Sequence, residues 1–211
     1  MLLSLRHRFL FVHTIRTGGT SVARALEPFC EERDGARWNR TLSKMGLVRD
    51  PARIWLKEHE TALGARRLLP AEVFDGSFKF AFVRNPWSWI VSVWMRLRTT
   101  ESHRHYPIVS KMDFPEYVAW EIGRNRHHQH RFVCDRAGDV IVDFIGRQER
   151  MAADFATVCE RIGLGDVELP HVGARARKHA DFREYYDDDL RRRVGEHWRR
   201  DVELFGYSFD G

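Results

Sequence analysis

Cysteine is scarce. The 211-residue chain has three, Cys30, Cys134 and Cys159, far apart and odd in number. With no C-x-x-C pair among them, neither a disulfide framework nor a structural zinc module is indicated. Long apolar runs are also missing. Arg6, His7 and Arg8 interrupt the N-terminal MLLSLRHRFLFVH, and the longest uncharged stretch near the middle, residues 85–95, is far short of the ~18 apolar residues of a membrane span. Neither sign of charge dominates: 35 Lys and Arg stand against 30 Asp and Glu, a net charge of +5. That surplus suits an anionic partner without naming one. Internal repeats, low-complexity tracts and Gly/Ser linkers are absent, so residues 1–211 read as a single domain. What the chain does have is 43% hydrophobic and 12% aromatic residues, enough for a sizeable core. The expectation is a reduced, soluble, cytoplasmic protein with no integral membrane segment.

Three runs rich in β-branched and aromatic residues are expected as strands: 8–13 (RFLFVH), 78–83 (FKFAFV) and 140–145 (VIVDFI). Each has too few polar positions for a half-wet strand, which implies a central parallel sheet covered on both faces. Helical spacing marks residues 21–27, stopped at Pro28, and 88–97, with Trp89, Val93 and Leu97 on one stripe. Asp113 and Glu116 form a capping-box pattern for a helix closed by Gly123. Further helices are expected at 149–162, stopped by Gly163, and at 187–205, stopped by Gly206. Strand, glycine-bearing turn, helix and strand in this order give an α/β fold, in which ligands sit at the carboxyl ends of the strands.

Two places then carry the chemistry. After the first strand, Arg16-Thr17-Gly18-Gly19-Thr20-Ser21 leads into a helix. Adjacent glycines allow positive φ, so that successive N–H groups converge on an anion, and the helix adds its dipole and unpaired N–H groups. Thr17, Thr20 and Ser21 add hydroxyls, and Arg16 adds a permanent cation. The set suits a phosphate or sulfate dianion, although a plain strand-to-helix turn with capping hydroxyls has the same composition. It is not a Walker A loop, because no lysine precedes the helix.

After the second strand comes Arg84, then Asn85 and Pro86, with Ser92 about two turns into the next helix. An arginine at the end of a buried strand requires an anion, since burying it unpaired costs several kcal/mol. Either a structural carboxylate or a ligand meets that need.

Together these segments resemble the cofactor-binding signatures of the sulfotransferases, most closely the carbohydrate-type and related bacterial branch, family 2. Its members carry F-V-H-I-P-K-T-G-G-T-S, and this chain has FVHTIRTGGTS at residues 11–21. They also carry F-K-F-A-F-V-R-N-P-W with a serine in the following helix, matched by residues 78–87 and Ser92. A K-H-x-T-A-like segment is matched loosely by residues 57–62, and similarity extends over about residues 8–209. The resemblance implies a P-loop-like three-layer fold and 3′-phosphoadenosine 5′-phosphosulfate (PAPS) as sulfuryl donor, with no metal. By the same resemblance, residues 16–21 hold the 5′-phosphosulfate, while Arg84 and Ser92 hold the 3′-phosphate. The implied reaction transfers the sulfuryl group in line to a hydroxyl of a carbohydrate, glycolipid or other small metabolite. One departure stands out: Arg16 occupies the family's lysine position, with Ile15 in place of proline. Arginine keeps the charge but is bulkier and never a proton donor.

The acceptor hydroxyl must lose a proton, and His59, aligned with the histidine of the K-H-x-T-A segment, is the candidate base. Glu58 and Glu60 flank it as alternative bases or orienters. His13 reads as structural. His103, His105, His127, His128 and His130 suggest a metal by count but no recognisable ligand set, so they read as solvated loop histidines. Arg147 and Glu149 belong to a segment expected near the nucleotide. Arg175, Arg177 and Lys178 form a basic cluster that either reaches a phosphate or faces solvent. Most of the tryptophans sit on apolar stripes and read as core. The rival readings are a P-loop kinase or phosphotransferase, a catalytically impaired nucleotide-binding relative, and a basic module for nucleic acid or polyanionic glycan. No nucleic-acid motif supports the last.

Overall fold

The computed structural model describes residues 1–31, 38–48, 50–170 and 181–211. The elements run β1 (Leu2–Ser4), β2 (Phe9–Val12), α1 (Gly19–Leu26), α2 (Asn39–Lys44), α3 (Ala62–Leu68), α4 (Ala71–Asp75) and β3 (Phe78–Val83). There follow α5 (Pro86–Thr99), α6 (Tyr106–Val109), α7 (Phe114–Arg124), α8 (His130–Val133), β4 (Phe144–Arg147), α9 (Met151–Arg161), α10 (Asp188–His197) and α11 (Arg199–Phe205). They fall into two compact units, Met1–Val83 with Arg131–Val172, and Arg84–His130 with Gly173–Gly211. No helix among the described residues is long and apolar enough to cross a membrane.

The first unit holds the sheet, in order β1-β2-β3-β4. β2, β3 and β4 are parallel, as their apolar runs require, and all four residues of β2 are buried. Phe9, Phe11, Phe80 and Phe82 occupy alternate positions, and Phe11 stacks on Phe80 with ring centroids 5.3 Å apart. These rings pack in one cluster with Val22 and Leu26 of α1, with Phe155 and Val158 of α9, and with Ile162 just after it. Gly146 of β4 lies opposite Phe82, and a Cβ there would come within 2.5 Å of that ring. The aromatic face of the sheet therefore needs a glycine in β4.

The sheet is mixed, not purely parallel. β1 pairs antiparallel with β2 through Leu2 and Phe11, Leu3 and Leu10, and Ser4 and Phe9. The last parallel strand begins at Phe144, four residues later than the apolar run at 140. Val140 makes only an isolated bridge to Cys134. Asp143 explains the late start: its carboxylate accepts the Lys79 backbone N–H at 2.7 Å and faces the Lys79 ammonium at 2.9 Å. A side chain thus occupies the ladder where the strand would otherwise begin.

The second unit is helical, built around Trp87, Trp89, Trp94, Tyr117, Leu190, Val194 and Trp198. The capping box of Asp113 and Glu116 forms as expected. Gly123 lies inside α7, however, and the helix closes at Asn125, whose φ of 46° takes the left-handed turn expected of a glycine. The long helix expected at 187–205 breaks at Trp198, whose φ of −99° and ψ of 24° separate α10 from α11. Gly206 ends α11 in the left-handed region, and Gly163 follows α9 in the same conformation.

Candidate active site

β2 ends at Val12, and the chain turns with the Thr14 N–H donating back to the Val12 carbonyl at 3.1 Å. Two residues of the turn are left-handed, Arg16 at φ 60° and Gly18 at φ 81°. For an arginine this conformation costs about 1–2 kcal/mol, so the surrounding contacts hold it there. α1 begins at Gly19, and its N-cap, Gly18, has no side chain with which to cap it. The first turn of α1 therefore meets its surroundings with backbone N–H groups and the positive end of the dipole. Arg16, Gly18 and Thr20 are exposed. Thr17 is buried, and its hydroxyl donates to the Thr14 carbonyl at 3.1 Å. That hydroxyl braces the turn, leaving Thr17 its main chain to offer a ligand.

The two glycines answer to different neighbours. A Cβ on Gly18 would lie 2.4 Å from Met151 Cε, and one on Gly19 would lie 2.2 Å from His13 Cδ2. The turn is thus seated against the His13 ring on one side and against the segment after β4, Gln148 and Met151, on the other. Neither contact is visible from the glycine pattern alone.

His13 is buried, and burial first, then the neighbouring His59 and the N-terminal ammonium, lower its pKa to about 3. Its carbonyl oxygen is 2.9 Å from His59 Nδ1. A carbonyl only accepts, so Nδ1 carries the proton and Nε2 of His59 keeps its lone pair. The two rings meet edge-on with centroids 4.7 Å apart, and the His59 side chain is 37% exposed. Glu58 Oε1 lies 3.8 Å from both His13 Nδ1 and His59 Nε2, beyond hydrogen-bond length. Glu60 is buried and forms an ion pair with Arg40. Of the two flanking carboxylates, Glu60 is committed to a cation and Glu58 is exposed.

Arg84 opens the second unit. Its Nε and Nη2 donate to Ser88 Oγ at 3.0 and 2.7 Å. Gln129 grips its main chain: the Arg84 N–H donates to Gln129 Oε1, and Gln129 Nε2 donates to the Arg84 carbonyl, both at 2.8 Å. Asn85 caps α5 by accepting the Trp87 N–H at 3.0 Å, and Pro86 takes the first helical position, as expected. Ser92 is buried on α5. Ser88 and Gln129 were not among the expected site residues. Ser88 had a signal, its i,i+4 spacing from Arg84 on a helix, whereas Gln129 had none.

Residues 1–208 match the family model of the sulfotransferase family. The chain belongs to that family. A protein of Archaeoglobus fulgidus, described only as an uncharacterized protein, is 32% identical over 101 residues, which is 47% of this chain and 78% of that protein. Membership makes the chain a sulfuryl-transferring enzyme that acts on a hydroxyl acceptor.

Several histidines of this sulfotransferase differ from expectation. His127 Nδ1 lies 2.8 Å from the buried Glu121 carboxylate, and His130 Nδ1 lies 2.5 Å from the fully buried Asp201. His128 is itself buried. They are hydrogen-bonded parts of the structure, not solvated loop histidines. His103 and His105 have pKa values lowered by burial, then by neighbouring arginines. Among the tryptophans, Trp87, Trp89, Trp94 and Trp198 are buried, but Trp38 is 63% exposed. The Arg147 N–H donates to Asp154 at 2.6 Å, which fixes the end of β4. The cluster of Arg175, Arg177 and Lys178 lies outside the described residues.

Proposed function

We propose that this sulfotransferase takes PAPS as donor and transfers its sulfuryl group to a hydroxyl of a carbohydrate, glycolipid or small metabolite. The proposal includes a P-loop-like three-layer arrangement acting as one domain in the cytoplasm. The observation that carries it is the turn at residues 16–21. A left-handed Arg16 and a left-handed Gly18 there precede a helix whose N-cap residue is a glycine, with no side chain of its own to bond the first N–H groups. That donor set suits a sulfate or phosphate dianion, and family membership favours this nucleotide over ATP.

PAPS supplies an activated sulfuryl group on a phosphate leaving group. The β2–α1 turn and Arg16 bind the 5′-phosphosulfate and neutralise charge on the leaving oxygen. Arg84 and Ser92 bind the 3′-phosphate. Nε2 of His59 takes the acceptor's hydroxyl proton as the new O–S bond forms and the old S–O bond breaks, its electron pair leaving on the phosphate. Nδ1–H stays on the His13 carbonyl, so the imidazolium that results remains held in place.

The test is calorimetric titration with 3′-phosphoadenosine 5′-phosphate beside ATP and Mg²⁺, followed by a turnover assay with PAPS over a panel of hydroxyl acceptors. Preference for ATP would overturn the reading in favour of a kinase. Tight binding of the 3′-phosphorylated nucleotide without turnover would make the chain an impaired relative, with Arg16 as the cause to examine first.

A further inference from the structure

The mechanism proposed above uses one nitrogen of His59 and leaves His13 and Glu58 without a chemical task. These three side chains nonetheless converge. One ring nitrogen of His13, one of His59 and a Glu58 carboxylate oxygen all lie within 4.8 Å of one another. Glu58 Oε1 is 3.8 Å from His13 Nδ1 and 3.8 Å from His59 Nε2. Ligand atoms around a tetrahedral zinc ion stand about 3.3–3.5 Å apart, given bond lengths of about 2.0–2.2 Å. The Glu58 oxygen has only a few tenths of an ångström to move toward each nitrogen, and its side chain, 71% exposed, is able to do so. The two rings must close any remaining gap between their nitrogens, which lie within 4.8 Å.

The outer contacts favour a metal as well. Metal-ligating histidines usually donate their second ring N–H to a carbonyl or carboxylate, which fixes tautomer and direction. His59 does this already, through Nδ1 to the His13 carbonyl. The His13 ring is locked by burial and by its contact with Gly19. Two imidazoles and one carboxylate form a borderline donor set that suits Zn²⁺ and disfavours Mg²⁺ or Ca²⁺. The exposed side of His59 and Glu58 leaves room for a fourth ligand.

We propose that His13 Nδ1, His59 Nε2 and Glu58 form a three-ligand site for Zn²⁺ or a similar transition-metal cation, and that occupancy switches the transferase off. The inhibition follows from the bond itself. The lone pair on Nε2 that would take the acceptor proton is donated to the metal instead, and Nδ1 already carries a proton. This second half rests on His59 acting as the base; the binding half does not.

The full chain, stripped of metal with a chelator, is titrated with Co²⁺ and read by visible ligand-field absorption, then with Zn²⁺ in competition. One tetrahedral-type site per chain is expected, weakened at least about 100-fold in Glu58→Gln and in His59→Ala. Both substitutions are at exposed positions, and circular dichroism checks that each variant is folded. Absence of Co²⁺ and Zn²⁺ binding, or binding that persists unchanged in both variants, overturns the inference and leaves the proposed function standing. Binding that the variants abolish, but that leaves sulfuryl transfer unimpaired at saturating Zn²⁺, upholds the site and removes His59 as the base. Binding together with inhibition, both relieved by chelator, supports the whole.

Discussion

The His13 carbonyl accepts the Nδ1–H of His59 at 2.9 Å. One residue at the end of β2 therefore sets the tautomer of the candidate base while its own ring supports the glycine that opens α1. The candidate base and the proposed donor-binding turn are thus built on the same strand end. His59→Ala should lower turnover by about 10²–10⁴-fold and leave the affinity for 3′-phosphoadenosine 5′-phosphate nearly unchanged. A steady-state assay combined with calorimetry separates the two quantities. Full activity in the variant would move the base elsewhere, first to Glu58.

Arg84 is held at both ends, its guanidinium by Ser88 and its main chain by Gln129. Arg84→Ala should weaken binding of the 3′-phosphorylated nucleotide by about 10- to 100-fold, the worth of a charge-assisted hydrogen bond or two, with little effect on adenosine 5′-phosphosulfate. Ser88→Ala should show a smaller loss of the same kind, because it removes one partner that orients the guanidinium without removing the guanidinium itself. Equal affinity for nucleotides with and without the 3′-phosphate in the parent protein would refute the assignment.

The two glycines of the turn should differ under substitution. Gly19→Ala forces a methyl group against the buried His13 ring, and overpacking of that kind costs about 1–3 kcal/mol. Gly18→Ala meets the mobile end of Met151 and costs chiefly the strain of its positive φ, about 1–2 kcal/mol. Urea unfolding of the single variants measures both. A His13→Ala/Gly19→Ala double variant should recover part of the Gly19 loss, since the clash is between those two residues.

Protonation of His13 should shape stability in acid. The group has an ordinary pKa of 6.5 in the unfolded chain and about 3 in the folded, metal-free protein. Between these values the unfolded state binds a proton that the native state refuses, so stability falls as pH is lowered. The contribution is about 1.4 kcal/mol per pH unit over that window and vanishes above it. Urea midpoints measured from pH 8 to pH 4 should be flatter in His13→Gln than in the parent. An identical slope in the two proteins would remove His13 as the cause.

How much of this could be read from the sequence depends on whether the signal was local. The runs at 78–83 and 8–13 are mostly apolar, with Lys79 the one charge inside the strand formed by the former, as a strand dry on both faces requires, and each contains a strand, Phe78–Val83 and Phe9–Val12. The start of β4 was misplaced because Asp143 interacts with Lys79, 64 residues earlier, and no window on the sequence contains both. β1 is only three residues long and gains its identity from pairing with β2, so it had no pattern of its own. The glycine pair was legible as a turn. The reason for Gly19, a histidine ring six residues back folded against it, was not. The motif drew attention to Ser92; Ser88, one turn earlier, also offers a hydroxyl, and it accepts from Arg84.

The amide of Gln129 acts as a borrowed peptide group, giving and receiving one bond each way just past the last residue of β3. Its own N–H is anchored to Asp201 of α11, which also receives the His130 N–H. Glutamate at 129 could not serve, because a carboxylate has no hydrogen to give the Arg84 carbonyl. The aim of the Arg84 main chain is therefore governed by an acid in α11, 117 residues further along the chain. If Arg84 holds an anion as proposed, loss of the Asp201 carboxylate would surface as a failure of anion recognition.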